Sequence, residues 1–167
     1  MSENTWLING YCHLVNKTFL FIDKYFEGVI PAGRVDVEVY ERTREAYNLL
    51  EHYRETGDRE EAGKLLEAYL AFATDYLEQG APWRTRECDR RGCRNTILNS
   101  VQMIANLTVW LKVLSAEEQW PLYPAAKVQE WLCLGEEWQV HSIHSGFVLP
   151  QIDELIVNSA KSSFQMA

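Results

Sequence analysis

From about Asn4 to Phe26, Leu7, Tyr11, Leu14, Val15, Thr18, Phe19 and Ile22 recur in steps of three and four. That is the spacing of one helix face, and Trp6, Phe21 and Tyr25 widen the stripe. On the other flank Asn9, His13 and Lys17 stand four apart and stack on one polar face. From spacing alone the simpler reading is a solvated polar face. Gly28, Pro31 and Gly33 then stop the helix and turn the chain. A second helix is predicted over Val35 to Glu55, with Val39, Ala46, Leu49, Leu50 and Tyr53 inward. Gly57 ends it, and Asp58 is placed to cap the next.

The third helix, Arg59 to about Glu78, has the cleanest period: Ala62, Leu65, Leu66, Tyr69, Ala73, Tyr76 and Leu77. It leaves through Tyr76-Leu-Glu-Gln-Gly-Ala-Pro-Trp83-Arg84, where an indole follows a proline and no apolar period continues. A tryptophan there either plugs the core from outside or offers its face to a ligand. A loop is expected through the arginines that follow, then a fourth helix from about Arg94 to Leu114. Its buried row is Ile97, Val101, Ile104, Leu107, Thr108, Leu111 and Leu114. A short helix over Pro124 to Leu134, an irregular segment over Glu136 to Pro150 and a last helix over Gln151 to Lys161 complete the pattern. No stretch reads as a strand. The expectation is one all-α domain over residues 1–167, a bundle of about five helices.

A length of 167 residues gives a core without disulfide or metal staples. Cys12, Cys88, Cys93 and Cys133 are scattered with no CxxC pair, which suits reduced thiols and a cytoplasmic location. The N-terminal apolar run is cut by Asn9, Gly10 and Asn16 and has no basic flank, so neither a signal peptide nor a membrane partner is expected. The net charge of −8 argues against a general phosphate-coating surface. Its distribution changes that picture. Residues 80–94 are the one basic stretch, carrying Arg84, Arg86, Arg90, Arg91 and Arg94 against Glu87 and Asp89. An aromatic beside an arginine cluster on an acidic body points to a local site for an anionic partner. Arginines at a helix start oppose its dipole, a misfit that a docked phosphate would relieve.

Catalytic constellations are absent. His141 and His144 with Cys133 lack a ligand frame, so no metal is expected, and no cofactor motif occurs. Glu60/Glu61 and Glu136/Glu137 are adjacent residues pointing apart, which suits solvation rather than paired acid–base work. Cys88 lies among arginines but has no evident His partner. The remaining tryptophans, Trp6, Trp110, Trp120, Trp131 and Trp138, are expected in or against the core.

With the helices placed, Leu14-Val-Asn-Lys-Thr-Phe-Leu-Phe-Ile-Asp-Lys-Tyr-Phe26 resembles the first helix of the methionyl-tRNA synthetase anticodon-binding domain. Tyr76 to Trp83 resembles that family's N-x-Y-x-x-x-x-A-P-W segment. Asn95 to Leu114, Lys127 to Gly135 and Gly146 to Ile152 are similar to its following segments, in the same order. The resemblance implies a helical bundle that receives a tRNA anticodon loop, with Trp83 stacking on an anticodon base. It also implies that Asn9, His13 and Lys17 take the places of base-reading residues on the first helix. Asn9 keeps the family residue, whereas His13 and Lys17 stand where asparagine and arginine are typical. Arg84 and Arg86 are the arginines expected to hold loop phosphates, followed by Arg90, Arg91 and Arg94. No H-I-G-H-like or K-M-S-K-S-like run occurs, so the chain alone is not expected to aminoacylate. It reads as a free-standing domain, a synthetase fragment or a paralogue, with a separate catalytic or partner protein as its further partner. The alternative reading is a degenerate paralogue that serves as an interaction or regulatory subunit without tRNA binding.

Overall fold

The structure is a computed structural model that describes residues 2–115, 123–135 and 137–150. The expected helix over Gln151 to Lys161 lies outside these residues. Helix α1 (Ser2–Tyr25) buries its stripe in full: Leu7, Tyr11, Leu14, Val15, Thr18, Phe19 and Ile22 are all inside. Helix α2 (Val37–Thr56) opens on Asp36, whose carboxylate accepts from the Glu38 amide at 3.0 Å. Gly57 closes it at φ 76°, the left-handed conformation that glycine adopts without a Cβ penalty. Asp58 then caps helix α3 (Arg59–Gly80), accepting from the Glu61 amide at 3.2 Å.

The inward row of α2 is Val39, Thr43, Ala46 and Leu50. Leu49, expected inside, is instead 39% exposed, because the row at steps of three and four turns position 49 outward. Thr43 takes a core place, hydrogen-bonded to the Tyr69 hydroxyl at 2.6 Å.

The largest departure from expectation follows α3. In place of a loop, Pro82–Thr85 forms a single helical turn, α4, and helix α5 starts at Arg90 and runs to Ser115. Proline at the first helical position is preorganised for a helix start. Asp89 then ends the intervening turn, accepting from the Gly92 amide at 3.0 Å through its side chain and from Cys93 at 2.9 Å through its carbonyl. The carboxylate of Asp89 therefore occupies one helix-end donor, the Gly92 amide, that the sequence pattern left for an outside phosphate.

Helix α5 is the centre of the bundle. Ile97, Leu98, Val101, Met103, Ile104, Ala105, Leu107, Trp110 and Leu111 are buried, a distribution around the helix rather than along one stripe. It is the one described helix long and apolar enough to cross a membrane, and 78% of its apolar window lies inside the bundle. Helix α6 (Tyr123–Trp131) packs on it. Trp110 is fully buried and Trp131 and Trp138 pack half-buried against the core, as the pattern predicts.

Side-chain amides on α5 tie irregular backbone to the bundle. Asn95 accepts from the Arg34 amide at 2.8 Å. Asn99 accepts from Asp36 at 2.8 Å and donates to the Arg34 carbonyl at 2.9 Å. Gln102 and Asn106 make paired bonds of 2.7 to 2.9 Å with the backbones of Ile143 and His141. These bonds satisfy loop groups that the core would otherwise leave unpaired. The irregular segment also touches the first turn, where Val29 and Val148 form an isolated antiparallel bridge.

Candidate nucleic-acid interface

The exit from α3 is fixed tightly. A Cβ on Gly80 would fall 2.4 to 3.0 Å from three Thr96 side-chain atoms, so only glycine permits this approach to α5. Ala81 follows at φ 40°, Pro82 is buried, and the next residue, Trp83, is turned out with 40% of its surface exposed. Of the two sequence readings, a core plug and an open face, the structure places the indole at the surface.

Lys17 on α1 lies against it, its Nζ 4.5 Å from the Trp83 ring centroid. The same ammonium is paired with the Glu78 carboxylate from α3. An exposed cation over an indole contributes about 0.5–1 kcal/mol. The half-exposed ion pair adds no more than about 1 kcal/mol. The arrangement therefore orients the indole without locking the lysine in place.

Further toward the N-terminus of α1, Asn9 and His13 are exposed and line a groove with Leu70, Ala71, Thr74 and Asp75 of α3. Asn9, His13 and Lys17 thus share one ridge, as four-residue steps require. Tyr25, at the end of the same helix, is 37% exposed but lies off that row, because Phe21 at the next four-residue step is buried. The pattern assigned Tyr25 to the core stripe; its ring is instead covered by the Arg86 guanidinium at 4.1 Å. Arg86 also donates to the Glu87 carboxylate at 3.1 Å, so its charge is partly met within the protein. Arg84 is exposed.

The structure therefore brings Trp83 and Lys17 into contact and sets Asn9 and His13 farther along the same helix. Arg86 sits at the helix's far end. Two contributors were not legible in the chain. Glu78 is 61 positions from Lys17, and nothing local marks the pair. Arg34, in the turn before α2, joins the α5 arginines in a cleft lined by Ala32, Gly33, Arg34, Arg91, Arg94 and Asn95.

The chain is 30% identical over 151 residues to methionine–tRNA ligase 1 of Alkaliphilus oremlandii (strain OhILAs), a match covering 89% of this chain and 26% of that protein. It is 36% identical over 108 residues to methionine–tRNA ligase 1 of Bacillus cereus (strain ATCC 10987 / NRS 248), covering 63% of this chain and 19% of that one. The chain is related to methionyl-tRNA synthetase over part of that enzyme's length. Its fold agrees. The apo methionyl-tRNA synthetase of Mycobacterium tuberculosis superposes with a TM-score of 0.77 over 93% of this chain and 33% of that one, at 15% identity. The same synthetase in complex with methionyl-adenylate gives a TM-score of 0.71 at 18% identity, over 89% of this chain. No family model matches the chain. The chain spans about a quarter or less of the curated synthetases it matches, 26% and 19% of the two named. The all-α bundle expected from the pattern is thus the fold shared with the synthetase.

Proposed function

We propose that this chain is a tRNA-binding domain that receives an anticodon loop and stacks one of its bases on Trp83. The observation that carries the reading is the placement of Trp83. Its indole is exposed at a rigid helix end, beside Lys17 and at the start of the chain's one basic stretch, in a protein related to methionyl-tRNA synthetase. Single-stranded RNA is recognised by splaying bases out, stacking them on aromatic rings and bonding to their exposed edges. Asn9 and His13 supply edge-binding groups along the ridge, and Lys17, Arg84 and Arg86 supply positive charge for loop phosphates. On this reading amino-acid activation belongs to a separate catalytic protein or region, as the sequence holds no H-I-G-H-like or K-M-S-K-S-like run.

The test is filter binding of unfractionated tRNA to the parent and to Trp83→Ala. Stacking of a base on an aromatic ring is worth about 1–3 kcal/mol. The variant is therefore expected to bind about 5- to 150-fold more weakly with unchanged helical circular dichroism. Equal binding by parent and variant removes the stacking role. No tRNA binding by the parent at micromolar protein and low salt favours the interaction-subunit reading instead.

A further inference from the structure

Three arginines from two distant parts of the chain surround one cleft. Arg34 comes from the turn before α2, and Arg91 and Arg94 come from the first turns of α5. All three are exposed, and none has an ion-pair or hydrogen-bond partner for its guanidinium among the described residues. By contrast Lys17, Lys64 and Arg86 each meet a carboxylate. Gathering like charges costs free energy, and among the described residues no carboxylate is in direct ion-pair contact with these three to offset it. The net charge of −8 makes the concentration of positive charge here more telling.

The gathering is also rigid. Asn95 and Asn99 hold the amide and the carbonyl of Arg34, at 2.8 and 2.9 Å. Gly33 sits so close to α5 that a Cβ there would fall 2.7 Å from the Asn95 side chain and 3.3 Å from the Arg94 carbonyl. The loop is thus pinned against the helix that bears the other two arginines. At the helix end the Asp89 carboxylate already occupies the Gly92 amide, while the three guanidiniums have no such internal partner among the described residues. Their planar forks match the oxygens of a phosphate.

The cleft adjoins a second one lined by Tyr25, Phe26, Arg86, Glu87, Arg90, Cys93 and Arg94, and Arg94 borders both. That second cleft reaches Arg86, three residues after Trp83. Arginines therefore run from Arg86, paired with Glu87, through Arg90 and Arg94 to Arg91 and Arg34 across the two clefts.

We infer that the Arg34–Arg91–Arg94 cleft binds phosphodiester groups of the same RNA, as a second grip apart from the Trp83 face. This inference rests on the tRNA-binding reading. Its test measures tRNA affinity as a function of salt for the parent, R34Q/R91Q/R94Q, R34K/R91K/R94K and W83A, with circular dichroism as the folding control. Each phosphate neutralised contributes about 0.7 to 0.9 to the slope of log affinity against log salt, so the glutamine set should flatten the slope by about 2 to 3. The lysine set, which keeps the charge, should retain the slope. W83A should weaken binding at every salt concentration and leave the slope unchanged. A glutamine set with the parental slope overturns the cleft while tRNA binding stands. A parent that binds no tRNA overturns both.

Discussion

Lys17 meets two residues that are remote from it in sequence: its ammonium lies over the Trp83 ring at 4.5 Å and pairs with Glu78. The polar row Asn9, His13, Lys17 was legible because a four-residue step on a helix admits one geometry. Trp83 was legible as an aromatic that breaks the apolar period just where positive charge begins. The carboxylate of Glu78 was not, because pairing between helices depends on how α1 and α3 pack, which no local spacing encodes. The pairing also sets the role of Lys17. Its charge is shared with Glu78, and on the proposed tRNA-binding reading it would turn toward a phosphate beside the base stacked on Trp83. Lys17→Met keeps the aliphatic stem against the indole and removes the charge. It is expected to lower tRNA affinity and to reduce the salt slope by about one phosphate contact. A salt titration in parallel with the parent reads this, and an unchanged slope would confine Lys17 to orienting Trp83.

At the scale of elements, helices α1, α2 and α3 were legible from periodicity, and their ends from Gly57 and Asp58 acting as stop and cap. The α4 turn and the early start of α5 were not. There the apolar period is silent, and the structure is decided by Pro82 at a helix start and by the Asp89 carboxylate at the next one. The exposure of Tyr25 was missed for a related reason. Its position fits the edge of the core stripe, and only the placement of Arg86 from beyond α4 shows which side it faces. The amides along α5 are the other element-level device. Asn99 is fully buried and holds both Arg34 and Asp36, so it fixes the turn before α2 as well as the start of that helix. Asn99→Ala removes the bonds to the Asp36 amide and the Arg34 carbonyl, both part-buried, each worth about 0.5–1.5 kcal/mol. The variant should unfold at lower temperature and denaturant than the parent. It should also loosen Arg34, so its tRNA salt slope is expected to fall toward that of an Arg34→Gln variant. Thermal and urea melts check the first effect, and a salt titration of tRNA binding checks the second.

At the scale of the whole molecule, the core leaves a distinct chemical signature in its titratable groups. Cys12 on α1 is buried, and loss of hydration pushes its thiol from 9.0 up to about 12. Burial likewise raises Cys93, and raises the Tyr11 and Tyr69 hydroxyls above their ordinary 10.0. Tyr11 and Tyr69 donate to or accept from Thr108 and Thr43 across helix interfaces, so their neutral forms belong to the packed state. Cys88 and Cys133 are exposed. At pH 8 an alkylating reagent is therefore expected to label Cys88 and Cys133 quickly and to reach Cys12 and Cys93 only after unfolding. The sign of the stability change follows from the four buried groups, Tyr11, Cys12, Tyr69 and Cys93. Each has a folded-state pKa above its unfolded value, so the unfolded chain releases protons first as pH rises. Stability should be intact below about pH 9 and decline as pH climbs through 9 and 10, where the unfolded thiols and phenols ionise. Urea melts across that range, paired with mass spectrometry of the labelled cysteines, test both effects. Rapid labelling of Cys12 in the native protein at pH 8, before any loss of helical signal, would show that α1 does not close over the core as described.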